Sequence, residues 1–245
     1  MRMLVGLWRL AGALAQALRG WAIITWRFPR LSPSQRQDEV QAWARGMLAV
    51  LGIGLQVQGT PAAQGPVLLV SNHVSWLDIL VLHSTRYCRF VSKADVHHWP
   101  LIGPLATGAG TLYIERASRR DAMRVVHQRA QALREGDVLA VFPEGTTGDG
   151  TTVLPFHANL LQAAIAADAP VQPVALSFID TATGQATLRP CYIGDDTLLQ
   201  SLWRTVCGDP VTVVVRFGQV QSHGERDRRA WASDLREQVK QLRQG

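Results

Sequence analysis

The chain has 245 residues, of which 47% are hydrophobic and 18% are charged, and its 25 basic residues outnumber 19 acidic ones. This balance excludes a disordered protein, whose composition is the reverse, and the length suffices to bury a core. The three cysteines, Cys88, Cys191 and Cys207, form no CxxC pair, which argues against a disulfide framework or zinc site and fits a reducing compartment.

The first segment of the chain, residues 1–46, carries nearly all of the excess positive charge. It holds seven arginines against Asp38 and Glu39, and the arginines lie among apolar residues and tryptophans. A nucleic-acid-binding protein usually carries a basic stripe through a folded domain with a recognisable motif, so we expect no nucleic-acid partner. The pattern instead indicates a helix that lies in a membrane interface and is attracted by anionic lipids.

Three other interpretations of this N-terminal segment compete with the interfacial helix. A tilted membrane span is the first, although the longest uncharged run, Leu10–Leu18, is far shorter than the roughly 18 residues of a span. Arginines in the middle of a span are also costly. A signal peptide is the second, and Arg9 interrupts its apolar region too early. The third is an ordinary amphipathic helix docked on the rest of the protein.

Short apolar runs alternate with helical patterns in the remainder of the chain. A second helix is predicted over Gln37–Leu51. The predicted strands are Val67–Val70, Arg89–Ser92, Thr111–Ile114, Val138–Phe142, Val171–Phe178 and Val211–Phe217. Further helices are predicted near Trp76–Ser84, Asp121–Arg134, Ala158–Ala167 and Arg228–Leu242. This alternation predicts an α/β layered domain with a mostly parallel sheet, preceded by two N-terminal helices.

A histidine and an aspartate lie in the loop after the first of these strands. In such sheets, functional groups gather beyond the carboxyl ends of the strands. Asp78 is placed to reach back to the His73 imidazole, fix its tautomer and leave the other ring nitrogen as a general base. The spacing alone is a weak signal, and a helix capped by Asp78 beside a structural histidine is the alternative.

The loop after Val138–Phe142 combines a carboxylate with small and hydroxyl residues, namely Glu144, Gly145, Thr146 and Thr147. The carboxylate can orient an acceptor, and the backbone N–H groups of such a loop can hold an anion; a plain turn is the alternative. No GxSxG motif is present, which argues against an acyl-serine route. We expect no metal site, because adjacent histidines such as His97 and His98 rarely face one ion.

Four sequence blocks follow one another in the order and spacing of a known enzyme family. Asn72–Asp78 matches NHxxxxD, and Phe142–Thr146 matches FPEGT. Gly110–Arg116 is similar to G-x-x-F-I-D-R, and Val171–Ala175 is an apolar strand with a central proline. The chain therefore resembles the glycerolipid acyltransferases, specifically the 1-acylglycerol-3-phosphate acyltransferase branch, over roughly Leu68–Leu176. The two N-terminal helices also resemble those of bacterial members.

The resemblance implies a reaction and a role for each block. A fatty acyl group moves from acyl-CoA or acyl-ACP to the free hydroxyl of a lyso-lipid, 1-acyl-sn-glycerol-3-phosphate being the first expectation, without a metal or prosthetic group. His73 is then the general base and Asp78 its orienting partner. Arg116 binds the anionic head of the acceptor, and the head-group pocket is shaped by Glu144, Gly145 and Thr146.

One position departs from the family pattern and leaves the acceptor open. The third block usually continues as FPEGTR, and Thr147 replaces the final arginine of that pattern. In the family, this arginine and the one that corresponds to Arg116 together hold the acceptor phosphate. Similar EGTT or EGTS variants occur in members that acylate lyso-ornithine lipids or other lyso-lipids, which makes lyso-ornithine lipid, or another lyso-lipid, the second candidate. A non-catalytic lipid-binding protein on the same fold is the third, and the presence of His73, Asp78 and Glu144 argues against it.

The same resemblance suggests how the chain is organised. The linker-like stretch 59–65 divides membrane-associated helices at 1–58 from an acyltransferase domain at 59–245. We expect the protein at the cytoplasmic face of a bacterial inner membrane, as a peripheral or monotopic protein in contact with anionic lipids.

Overall fold

Helices and strands alternate along the computed structural model, which describes residues 2–114 and 119–245. The helices are α1 Arg2–Ala22, α2 Pro33–Leu51, α3 Leu77–Thr85, α4 Ile102–Gly108, α5 Arg119–Arg134, α6 Gln162–Ala167, α7 Leu198–Cys207 and α8 Arg228–Gln244. The strands are β1 Ile53–Gln58, β2 Val67–Ser71, β3 Arg89–Lys93, β4 Leu112–Ile114, β5 Val138–Val141, β6 Val171–Asp180 and β7 Val211–Phe217.

The strands of the described residues form one sheet in the order β1-β7-β6-β2-β5-β3-β4. Every neighbouring pair runs parallel except β6 and β7, which are antiparallel. The predicted α/β class with a mostly parallel sheet is therefore confirmed. Because β2 and β5 are adjacent and parallel, with Val70 opposite Val141, the loops after them leave the sheet at the same edge.

The core lies on both faces of the sheet, and β2 runs through its centre. Leu69 packs on one face in a cluster that includes Leu48 of α2 and Leu77 of α3. Leu68 packs on the other face in a cluster that includes Leu133 of α5. All five residues of β2 are buried, which explains its uninterrupted apolar sequence, as is typical of a strand covered on both faces.

The structure adds β1, α4 and α7 to the predicted elements and begins α2 earlier. β1 precedes the predicted boundary between residues 58 and 59 and pairs in parallel with β7, so it joins the sheet of the segment after that boundary. Helix α2 begins at Pro33 because Ser32 caps it. The Gln35 N–H donates to the Ser32 hydroxyl, and the Ser32 N–H donates to the Gln35 side chain.

Small residues let α1 lie close to α2. A Cβ added at Gly12 would come within 2.7 Å of Cγ1 of Val50, and one at Gly20 within 2.4 Å of Nε1 of Trp43. The Trp43 indole donates to the main-chain carbonyl of Gln16 at 2.8 Å, and the Gln16 side-chain amide donates to the main-chain carbonyl of Trp43 at 3.0 Å. One face of α1 is thus docked on the rest of the protein.

The opposite face of α1 is apolar and exposed. Its large exposed side chains recur at helical spacing and include Leu4, Leu7, Trp8, Leu14 and Leu18. In the described part of the chain, no helix combines the length and the hydrophobicity that crossing a bilayer requires. Helix α1 therefore turns its small residues inward and its large apolar residues outward.

Candidate active site

The loop after β2 is fixed to the sheet by Asn72, whose side chain is buried. Its amide donates to the Leu176 carbonyl at 3.0 Å, and its amide oxygen accepts from the Leu176 N–H at 2.8 Å. A primary amide carries the donor and acceptor of a peptide group, so Asn72 continues the pairing of β2 with β6 by one further step. This role went unnoticed in the sequence, although Asn72 opens the first block.

His73 and Asp78 are in direct contact, as their spacing predicted. The His73 Nδ1 lies 2.8 Å from the Asp78 Oδ2. The Asp78 side chain is fully buried, whereas 19% of the His73 side chain is exposed. A carboxylate only accepts hydrogen bonds, so Nδ1 carries the proton and Nε2 keeps a free lone pair. The pair therefore has the arrangement of a general base with an orienting acid.

The same aspartate oxygen also holds the loop that precedes α3. Asp78 Oδ2 accepts from the N–H groups of Val74 at 2.7 Å and Ser75 at 2.9 Å. Its other oxygen, Oδ1, is buried and has no hydrogen-bond partner among the described residues. Asp78 thus braces the loop and does not cap α3, and its backbone bonds fix the carboxylate that contacts the imidazole.

Glu144 joins the His73 loop to a second loop. Its Oε1 accepts from the His73 N–H at 2.7 Å, and its Oε2 accepts from the Leu154 N–H at 2.7 Å. Burial raises the pKa of this carboxyl, while the two backbone N–H groups oppose that shift. Since both oxygens are occupied by backbone donors, Glu144 braces the site. Its predicted contact with an acceptor is untested and stays a prediction.

Two further contacts hold His73, one at its ring and one at its main-chain carbonyl. Its ring stacks on Phe142, with ring centroids 4.0 Å apart and planes 9° apart. The Gly148 N–H donates to the His73 carbonyl at 2.7 Å. Because the ring, the backbone and Nδ1 are all fixed, the free Nε2 has a defined direction.

The remaining residues of the FPEGT loop differ in their surroundings. Gly145 has a φ of +73°, and a Cβ there would come within 2.9 Å of the His157 ring. Thr146 is exposed. The Thr147 hydroxyl donates to the Tyr192 carbonyl, which joins this loop to the segment before α7. Arg116, the predicted head-group ligand, lies outside the described residues.

Helix α8 supports the loop that Glu144 contacts. The Arg236 guanidinium donates to the carbonyls of Val153 at 2.7 Å and Leu154 at 3.0 Å. Arg243 donates to the Gly150 carbonyl. A planar guanidinium can hold two carbonyls in fixed positions, so Arg236 positions the Leu154 N–H that Glu144 accepts. No pattern in the sequence indicates this link.

Lys93 is a cation at the same edge of the sheet that the sequence analysis also missed. It ends β3, which neighbours β5, and its side chain is exposed. It makes no hydrogen bond or ion pair with another described residue. The chain has only one other lysine, Lys240, and this scarcity is the sequence feature that could have drawn attention to Lys93.

A small apolar cavity of about 40 Å³ lies away from this loop, between the N-terminal helices, α3 and α4. Its lining includes Ile23, Trp43, His83 and Leu105. Burial lowers the pKa of His83 to about 4, so this histidine is uncharged at neutral pH. Neither His73 nor Asp78 lines the cavity, which therefore lies apart from the predicted catalytic pair.

The histidine pair at 97 and 98 shows no ligand geometry for a metal. The two rings contact each other edge to face with centroids 5.2 Å apart, and His97 also contacts the Tyr113 ring. Over residues 2–114 and 119–245, no group of three histidine, cysteine or acidic side chains is placed to hold a metal ion.

Comparison with known proteins places these features in a family. A family model described as Acyltransferase matches residues 54–177. The chain is 39% identical to the 1-acyl-sn-glycerol-3-phosphate acyltransferase of Neisseria gonorrhoeae over 85% of this chain and 82% of the relative. It is 38% identical to the lyso-ornithine lipid O-acyltransferase of Pseudomonas aeruginosa over 89% of this chain and 84% of the relative.

A solved structure matches the whole fold. The crystal structure of the 1-acyl-sn-glycerophosphate acyltransferase of Thermotoga maritima superposes with a TM-score of 0.72 and covers 99% of this chain and 98% of that one. Its sequence identity is 19%, so the match concerns the fold. With the family model over the blocks that contain His73 and Glu144, and relatives similar over most of their length, the chain is an acyltransferase and belongs to the Acyltransferase family.

Proposed function

We propose that this enzyme transfers a fatty acyl group from an acyl-CoA or acyl-ACP thioester to the hydroxyl of a lyso-lipid. The observation that carries the proposal is the His73–Asp78 pair, with Nδ1 bonded to a buried carboxylate at 2.8 Å and Nε2 free. The activities for which the relatives are named support the acceptor class.

The reaction requires one base and one charge stabiliser. The acceptor hydroxyl gives its proton to His73 Nε2 as its oxygen forms a bond to the thioester carbonyl carbon. Asp78 stabilises the imidazolium that results. When the tetrahedral intermediate collapses, the carbon–sulfur bond breaks and the leaving thiolate takes the proton from His73. The products are an ester and a free thiol, and the base is regenerated.

A donor and acceptor panel tests this proposal directly. Purified enzyme should form ester and free thiol in equal amounts with acyl-CoA or acyl-ACP and one of two acceptors, 1-acyl-sn-glycerol-3-phosphate or lyso-ornithine lipid. Binding of these lipids without ester formation would favour the lipid-binding alternative. Hydrolysis of the thioester without an acylated product would also contradict the proposal.

We propose 1-acyl-sn-glycerol-3-phosphate as the acceptor, with lyso-ornithine lipid as the second candidate. Relatives with these two activities match at almost equal identity, 39% and 38%. Lys93 is an unpaired cation among the described residues, which favours an anionic head. The Thr147 hydroxyl instead donates to the Tyr192 carbonyl, and threonine adds no positive charge for a phosphate. For this reason lyso-ornithine lipid stays the second candidate.

Restoring a cation at position 147 separates these two acceptors. We expect Thr147→Arg to lower the apparent KM for 1-acyl-sn-glycerol-3-phosphate by about tenfold relative to Thr147→Gln, since one charge-assisted contact to phosphate is worth about 1.5–3 kcal/mol. The Gln variant is the matched control, because it also loses the hydroxyl bond to Tyr192 but adds no charge. The KM for the acyl donor should not change.

The outcome for the second acceptor runs the other way. If lyso-ornithine lipid is the natural acceptor, the new arginine meets its cationic amine, and Thr147→Arg should raise the KM for that lipid while it improves use of the phosphate head. Equal kinetics for the Arg and Gln variants on both acceptors would show that position 147 does not face the head group.

We further propose that α1 binds the enzyme to the cytoplasmic face of a bacterial inner membrane. Its outward face carries large apolar side chains, including Trp8, which is 75% exposed. Five arginines and no acidic residue lie within residues 1–30. An apolar face bordered by arginine and tryptophan is typical of a helix that lies in the interface of an anionic membrane.

Replacing exposed leucines of α1 tests this contact. Deleting the helix would uncover residues that it buries, so substitution is the cleaner experiment. We expect Leu7→Glu with Leu14→Glu to weaken sedimentation with anionic vesicles by about thirtyfold, because apolar contact is lost and anionic lipids repel the new charges. Val220→Glu with Ser222→Glu adds the same charge elsewhere as the control. Unchanged sedimentation of the α1 variant would contradict the proposal, as would resistance of the parent to both high salt and carbonate extraction.

A further inference from the structure

The segment from Leu188 to Trp203, far from α1 in the sequence, also exposes large apolar side chains. They are Leu188, Ile193, Leu199 and Trp203. Leu199 is 76% exposed, the largest fraction for a large apolar side chain among the described residues. Leu199 and Trp203 are four positions apart on α7, so both lie on one face of that helix. Buried Ser201 and Thr205 lie on the face that packs inward.

This segment is bonded directly to the loop that carries the catalytic pair. The Ser75 hydroxyl donates to the Pro190 carbonyl at 2.5 Å, and the Tyr192 N–H donates to the Val74 carbonyl at 3.0 Å. The Trp76 indole donates to the Ser201 hydroxyl of α7 at 3.2 Å. The exposed residues of the segment are therefore attached to the immediate neighbours of His73.

Helix α7 is also packed against the amino-terminal half of α1. The Arg9 side chain donates to the Val206 carbonyl at 2.9 Å. The approach is close at Gly6, where an added Cβ would come within 2.2 Å of the Cys207 Sγ. Two helices in contact thus each leave apolar side chains outside, Leu4 and Trp8 on α1 and Leu199 and Trp203 on α7.

We propose that α7 and the loop before it form a second membrane-contacting surface, continuous with that of α1, through which the acceptor passes from the bilayer to His73. This inference rests on the acyltransferase function proposed above. Tryptophan is the residue that membrane interfaces favour, and both surfaces carry one. The excess of arginine over acidic residues in residues 1–46 matches an anionic bilayer as the occupant.

A matched pair of single substitutions tests this surface. Leu199→Glu places a carboxylate on α7, and Val220→Glu places one at a 46% exposed position elsewhere. Val220 precedes Gln221, which bridges to Val171 beside Leu68, near the amino end of β2 and away from His73. Both variants replace one exposed aliphatic residue by one charge, so a general effect of charge is common to them.

We expect Leu199→Glu to lower kcat/KM on acceptor in anionic vesicles by about tenfold, or 1.4 kcal/mol, and to weaken vesicle sedimentation. Its activity on a short-chain acceptor dispersed below its micelle concentration should match the parent, and Val220→Glu should match the parent on both substrates. If Leu199→Glu behaves like Val220→Glu on vesicles, the second surface is refuted. A change in oligomeric state without a change on vesicles would assign the surface to a second copy and also refute it.

Failure of the proposed function gives a different result. If the parent acylates neither the vesicle-borne nor the dispersed acceptor, the acyltransferase proposal for lyso-lipids is wrong. Sedimentation of Leu199→Glu and Val220→Glu with vesicles then still tests the surface without an activity assay.

Discussion

Substitution of His73 by alanine should reduce turnover by at least about 10²–10⁴-fold, the usual contribution of a general base. Asp78 occupies the Nδ1 atom of His73, so Nε2 is the ring nitrogen that is free to accept a proton. The measurement is kcat for ester formation at saturating donor, on protein whose circular dichroism shows that it is folded at the assay temperature.

A matched histidine variant controls for this experiment. His98 is exposed, and His98→Ala should keep parental activity. Loss of the His73 ring also removes its stacking on Phe142, so a lower melting temperature is expected for His73→Ala alone. Activity of folded His73→Ala within a few-fold of the parent would end the assignment of His73 as the base.

The second large effect is expected for Asp78→Asn, and it should be smaller than that of His73→Ala. Asp78 Oδ2 accepts all three hydrogen bonds, whereas Oδ1 has no partner among the described residues. An asparagine can therefore place its oxygen at the Oδ2 position, keep the bonds to His73, Val74 and Ser75, and leave its NH₂ group at the Oδ1 position. The tautomer of His73 survives, and only the negative charge is lost.

The expected loss in kcat is about hundredfold, since a neutral acceptor stabilises the imidazolium much less than a carboxylate does. The buried NH₂ group of asparagine without a partner should also lower the free energy of unfolding by about 1–3 kcal/mol. Asp95→Asn, at an exposed acidic residue, is the control. If Asp78→Asn turns over like the parent, the charge of Asp78 does not contribute, and its role is limited to holding the loop before α3.

Local sequence patterns sufficed for every strand of the sheet except β1, at one of its edges. The strands β2 and β5 are uninterrupted apolar runs, and both were predicted. Strand β1 alternates Ile53, Leu55 and Val57, yet only Ile53 is buried, because β1 is an edge strand that pairs on one side. Helix α7 carried a readable signal that was not used, the capping box of Thr197 with Gln200.

The same division holds within the site. The contact of His73 with Asp78 spans five residues, so it could be proposed from the local spacing once the four sequence blocks supported it. The bonds of Thr147 to Tyr192 and of Arg236 to Val153 join positions that are 45 and 83 residues apart, and only the folded chain brings them together. The catalytic and substrate-binding roles themselves stay predictions until variants are assayed, and Arg116 lies outside the described residues.

The position of Glu144 has a consequence for which residue types the site accepts. Two backbone N–H groups from different loops point at one side chain, so that side chain must present two acceptors at once. Glutamine has the same shape but offers one acceptor and one donor, and its NH₂ group would face an N–H of His73 or Leu154. Size and polarity alone do not define the residue at position 144. The two loops require a side chain that accepts a hydrogen bond at both of its terminal atoms and donates none. Among the common side chains of this length, only an ionised glutamate meets that requirement.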